Sequence, residues 1–173
     1  MRTHTLLAIS SATALAILSA ILPAQAQDRA NQPQTTAPLA TTDPLKTIYR
    51  VSGIRDNGGL ANAGVATSFH CTNFSSVPEK IRFFIRNFSA VQVADISRDV
   101  PAFRTHTAST HGTAAFNEDT FLAPGILIEQ GSAVIQSTSL NVHCSAMIVD
   151  GAAAAVGIAL HMVRLNPAPG TQE

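Results

Sequence analysis

The chain predicts an all-β fold, an antiparallel β-sandwich of about 8–9 strands closed by one disulfide. Three observations carry this expectation. Short segments alternate apolar and polar residues with period 2 and are punctuated by Gly, Pro, Asn and Asp. No convincing amphipathic helix stands between them, so the crossovers that a parallel sheet needs are missing. The cysteines form an even pair, Cys71 and Cys144, in a chain that opens with an export signal.

The export signal has three parts. Arg2 supplies a positive start, an apolar run extends from Leu6 to Leu22, and Pro23 followed by Ala24-Gln25-Ala26 offers a small-x-small cleavage pattern. We therefore expect a signal peptide over residues 1–26 and a chain delivered to the periplasm or the medium. The apolar run is marginal for a membrane core of roughly 30 Å and no basic cluster follows it, so no membrane insertion is expected after cleavage. Residues 27–45, rich in Gln, Thr, Ala and Pro, read as a flexible tether. Residues 46–166 form one domain, long enough to bury a core unaided, and 167–173 a flexible tail. Losing Arg2 leaves the chain close to neutral, because the 11 basic and 11 acidic side chains balance to begin with. A neutral domain lacks the basic footprint of a nucleic-acid binder.

The strands follow in order. Thr47–Val51 is the first, and Asp56-Asn57-Gly58-Gly59 reads as a turn, since Asn and Gly accept positive φ at little cost. In the second, Val65, Thr67, Phe69 and Cys71 share one face, while Ala66, Ser68 and His70 share the other. In the third, Ile81, Phe83 and Ile85 alternate with Arg82, Phe84 and Arg86. Val91–Ile96 and Phe103–Ala108 continue the series. Ala114-Ala115-Phe116 opens a polar stretch, Asn117–Thr120, that is expected to be loop. Pro124-Gly125 turns the chain into Ile126–Ile128. Ala133–Ser137 and Val142–Val149 form a hairpin through Thr138–Asn141. Asp150-Gly151 ends it, an alanine run follows with room for one helical turn, and Ile158–Leu165 is the last strand.

Cys71 and Cys144 lie mid-strand on apolar faces, and in an exported chain such a pair is oxidised by default. A redox or metal thiol pair usually has its cysteines two residues apart, which these are not. Closing a loop of about 73 residues stabilises a domain by roughly 4 kcal/mol in the chain-entropy model. Two cross-linked strands, one near each end of the domain, resemble the build of immunoglobulin-like sandwiches. The chain departs from that pattern in having no Trp and in placing Val142, not Tyr, two residues before the second cysteine. The segments Ser68-Phe69-His70-Cys71-Thr72-Asn73-Phe74, Val142-His143-Cys144-Ser145-Ala146 and Leu160-His161-Met162-Val163-Arg164 also resemble a group of small exported bacterial proteins. That resemblance implies a shared fold and supplies no catalytic residues.

Each cysteine follows a histidine, His70 and His143, whose side chains point away from the disulfide face. If the bridge joins two sheets, these histidines lie on opposite surfaces; if it joins neighbouring strands, they share a face. With His106, His111 and His161 they are enough ligands for a Cu or Zn site, although no H-x-H or H-E-x-x-H spacing occurs. The expectation is no cofactor, with a periplasmic His-based Cu/Zn-binding protein as the alternative. A small secreted hydrolase ranks last. There is no G-x-S-x-G elbow, Glu118 and Asp119 diverge in extended chain, and His111 beside Ser109 is the one base–nucleophile neighbourhood that can be drawn. The leading expectation is a non-catalytic binding or structural module. Arg82, Phe84 and Arg86, an aromatic between two guanidiniums on one strand face, suit a protein or glycan partner.

Overall fold

A computed structural model describes residues 44–153 and 157–165. The expected signal peptide, the tether up to residue 43, the tail and residues 154–156 after the alanine run lie outside the described residues. Ten strands and no helix make up the described chain: β1 (Lys46–Asn57), β2 (Val65–Asn73), β3 (Glu79–Asn87), β4 (Gln92–Val100), β5 (Thr105–Ser109), β6 (Thr120–Phe121), β7 (Leu127–Ser137), β8 (Val142–Asp150), β9 (Ile158–Ala159) and β10 (Met162–Arg164). They form two five-stranded sheets, β10-β1-β7-β3-β4 and β6-β5-β2-β8-β9. The fold is a sandwich, as the alternating pattern predicts.

Alternation explains the core directly. From the first sheet Ile81, Phe83 and Ile85 of β3, Ile135 of β7 and Val51 of β1 point inward; from the second come Phe69 and Cys71 of β2, Ala108 of β5 and Val142 and Ala146 of β8. The rings of Phe69 and Phe83 meet across the layers with centroids 5.7 Å apart. Thr67 ties the sheets together at one end. Its hydroxyl accepts from the Arg55 amide at 2.9 Å and donates to the Arg55 carbonyl at 2.8 Å, so a buried polar side chain loses no hydrogen bond.

The disulfide Cys71–Cys144 is present, and it lies within one sheet. The two residues are direct partners in the β2–β8 ladder. The immunoglobulin-like arrangement, in which the bridge spans the two sheets, therefore does not extend to this chain. The bridge staples strands already hydrogen-bonded to each other.

Five readings differ from expectation, the first being the hairpin of Ala133–Ser137 with Val142–Val149: β7 belongs to the first sheet and β8 to the second, so Thr138–Asn141 connects the layers instead of closing a hairpin. β1 runs on through Asp56 and Asn57, because bulges near Tyr49 and Ile54 let it follow β7 to Leu127. β7 is one strand, where Ile126–Ile128 and Ala133–Ser137 were expected separately. Its middle is held on both sides, Gly131 pairing with Ile54 and with Asn87. A Cβ at Gly131 would come within 2.7 Å of the Arg86 carbonyl, so neighbouring backbone occupies the place of a side chain. The polar stretch ending at Thr120 contributes β6, which pairs parallel with β5. The last strand divides: β9 pairs with β8 in the second sheet and β10 with β1 in the first, the chain crossing at Leu160–His161.

Candidate ligand-binding face

The five candidate histidines do not converge. His106 faces inward from β5 and is buried, its ring stacked on Phe83 at 6.3 Å and its Nε2 3.1 Å from the Thr120 hydroxyl. Burial pushes its pKa down; Asp119 opposes this and Arg98 adds to it. His70 lies on the outer face of the second sheet, with Nδ1 3.2 Å from the Thr107 hydroxyl and its ring edge-on to Phe116 at 4.5 Å. Its Nε2 is buried without a hydrogen-bond partner. An Nδ1–H tautomer leaves only a lone pair there, and burial lowers this pKa too, against Glu118. His143 is on the same outer face, but its partners are others: Arg164 donates to its Nδ1 at 2.9 Å and Phe74 meets its ring at 5.3 Å. Burial first, then Arg164, lowers its pKa. His161 is exposed between β9 and β10. Among the described residues no three His, Cys, Asp or Glu side chains gather where they could hold a metal ion.

His111 is fully buried and so is its partner Asp56. Nδ1 lies 2.7 Å from Asp56 Oδ2, and Nε2 lies 2.8 Å from the Ala63 carbonyl. A carbonyl only accepts, so Nε2 carries a proton and donates it, which turns Nδ1 to the Asp56 carboxyl group. Asp56 Oδ1 in turn accepts from the Gly58 amide at 2.7 Å. Ser109 belongs to a different group. Its hydroxyl is 2.6 Å from that of Ser68 and 3.3 Å from Glu118, whose Oε1 also takes the Thr113 amide and hydroxyl. The His111–Ser109 neighbourhood drawn from the sequence is thus taken apart. Asp56 was read as a turn residue, and no local signal marks it as the partner of a histidine 55 positions away.

Arg82, Phe84 and Arg86 come together on the outer face of β3. Both guanidiniums lie over the Phe84 ring, Arg82 at 5.8 Å and Arg86 at 5.0 Å. One carboxylate stands within diagonal reach of both: Asp95 of β4, directly opposite Phe84. Arg82 takes all of it, Nε donating to Oδ1 and Nη2 to Oδ2, each at 2.6 Å. That bond holds Asp95 below the usual carboxylate range and raises Arg82. Arg82 also donates to Gln136 at 3.2 Å. Lys80 pairs with Asp99 at 2.9 Å. Arg86 is different. A bulge between Ile85 and Arg86 sets the neutral Gln92 opposite it, and among the described residues no carboxylate lies within ion-pair distance.

The ladder extends the face across the sheet. One row runs Val163, Arg50, Val134, Phe84, Asp95 over β10, β1, β7, β3 and β4, and the next sets Ser52, Ser132 and Arg86 side by side. Arg50 is exposed and, like Arg86, has no carboxylate in ion-pair distance among the described residues. Beside Arg86 lies an open depression of about 330 Å³, bounded by Ser52, Gln130, Gly131, Ser132 and the exposed ring of Phe88. The sequence signal marked the Arg–Phe–Arg strand but not Arg50, Ser52 or Ser132, which reach it only through strand pairing. No family model matches the chain, and no curated protein or solved structure matches it either.

Proposed function

We propose that this chain is an exported, non-catalytic binding module that presents the outer face of its first sheet to a ligand, with Phe84 and Arg86 as the central contacts. The disulfide is compatible with an oxidising compartment outside the cytoplasm. The observation that carries the reading is the state of Arg86: a guanidinium set on an aromatic ring, without a carboxylate, at the rim of a depression. Arg and aromatic side chains are the types that anchor interfaces, since both offer large contact area and directed bonds. The other chemically capable groups are engaged elsewhere. His111 and Asp56 spend their bonds on each other and on backbone, and Ser109 is buried beneath Glu118.

The test is retention on an array of glycans and exported proteins, comparing the native chain with the double variant Phe84→Thr/Arg86→Ser. A ligand held by the native chain and lost by a folded double variant supports the reading. Equal retention by both overturns it. Hydrolytic turnover of an ester, glycan or peptide, abolished by replacing one polar side chain, overturns the non-catalytic part.

A further inference from the structure

We infer that the ligand of this face is a carboxylate-bearing glycan chain, gripped by Arg86 and Arg50. The inference rests on the proposal that the face binds a ligand and adds the chemical class. The chain itself shows what an arginine on Phe84 does with a carboxylate. Arg82, the mirror position of Arg86 about that ring, holds Asp95 through two parallel bonds of 2.6 Å. Arg86 has the same ring support and strand face, but the carboxylate diagonal to it, Asp95, is already taken by Arg82. An exposed fork with its aromatic backing in place is preorganised for a planar anion.

A second uncompensated cation sets the size of the ligand. Arg50 and Arg86 lie two strands apart and one row apart, roughly 12 Å between their Cα atoms on sheet spacings. A chain of acidic units offers one carboxylate to each arginine across that span. Between them the surface consists of the Ser52 and Ser132 hydroxyls and the partly buried Val134. Hydroxyls on a low floor, with Phe88 standing as an exposed aromatic wall, suit the polar rims and apolar faces of sugar rings.

The same face disfavours an acidic peptide. β3 is paired with β4 and β7 on either side, and β1 with β7 and β10 around Arg50, so the backbone N–H and C=O groups beneath Arg86 and Arg50 are already bonded within the sheet. A peptide laid across the face would find no main-chain partners, whereas strand-adding recognition depends on them. Side chains are all the face offers, and side chains are enough for a glycan.

The experiment is calorimetric titration of the native chain, with its disulfide intact, against three probes: a galacturonate oligomer, its fully methyl-esterified form and a glutamate oligomer of equal charge. The galacturonate oligomer should bind, the methyl ester at least tenfold more weakly, and the affinity should fall as NaCl is raised, because exposed charges are screened. Arg86→Ala should weaken binding tenfold or more and Arg50→Ala at least threefold. Lys80→Ala, which removes a cation already paired with Asp99, should change it less than twofold. Arg86→Lys keeps the charge and loses the fork, so it should fall well short of native affinity. It also keeps the test open if Arg86→Ala fails to fold. Failure of the galacturonate oligomer to bind overturns the inference. Equal binding of ester and acid, still lost in Arg86→Ala, overturns the anionic class and leaves the binding face standing. Equal binding of the glutamate oligomer overturns the glycan class. Galacturonate binding indifferent to both arginine variants overturns the face as well.

Discussion

At Asp56 and His111 a fully buried carboxylate and imidazole lie 2.7 Å apart, with the remaining lone pair and N–H satisfied by Gly58 and Ala63. Such a pair adds little net stability while intact, but removing one partner leaves the other uncompensated in the core. His111→Ala should therefore lower unfolding free energy by about 3–5 kcal/mol, read as a shift in urea midpoint at constant slope. A loss below ~1 kcal/mol would mean that water already reaches Asp56. His106 makes a pH prediction. Burial, reinforced by Arg98 and opposed by Asp119 at 3.7 Å, lowers its pKa from 6.5 in the folded chain. The unfolded chain takes up the proton first as pH falls, so stability is fully present above 6.5 and is lost as pH drops toward the folded value. His70 and His143 act in the same sense. The urea midpoint should fall between about pH 7.5 and about pH 5, and fall less in His106→Gln; an unchanged slope in that variant would remove His106 from the account.

At the scale of elements, two strand pairs carry distinct constraints. β2 and β8 are joined by their full ladder and by Cys71–Cys144. Replacing both cysteines by Ala should cost about 2–5 kcal/mol, mostly by freeing the unfolded chain, while the folded ladder keeps the strands in register. Amide exchange in the native state should then accelerate throughout the domain; acceleration confined to β2 and β8 would show a local role only. β3 and β7 depend on Gly131. A methyl group there would meet the Arg86 carbonyl at 2.7 Å and Ile128 Cγ2 at 2.9 Å, and backbone held in a ladder cannot move aside cheaply. Gly131→Ala should destabilise by about 1–3 kcal/mol and disturb the Arg86 rim at the same time. A variant of native stability would show that β7 shifts to make room.

At the scale of the whole molecule, the two outer sheet faces of the described residues differ in what covers them. The second sheet's outer face carries His70, Ser68 and Ser109 beneath Phe116 and Glu118, each engaged in contacts with that loop or with neighbouring strands. The first sheet's outer face carries Phe84 between its β3 neighbours and leaves Arg50 and Arg86 exposed among the described residues. The described chain starts β1 at Lys46 and ends β10 beside Tyr49, both toward one pole, while the depression at Gly131 lies toward the other.

Alternation along each strand was enough to specify the class of fold, because a period of 2 needs only local order to be read, and it placed Phe83 inside and Phe84 outside without knowledge of any neighbour. Even cysteine parity, with the export signal expected from the sequence, did the same for the oxidised cysteine pair. Register lay beyond it. Whether Cys71 and Cys144 joined two sheets or two neighbours, whether 158–165 was one strand or two, and which residue stood opposite Arg86 all depend on contacts between segments far apart in the chain. Those contacts are settled by packing both sheets at once. It is strand register that directs Asp95 to Arg82, sets Gln92 opposite Arg86 and brings Arg50 onto the same face. The strand pattern of the Arg–Phe–Arg surface was written in the sequence, and its unneutralised charge was decided by the tertiary structure.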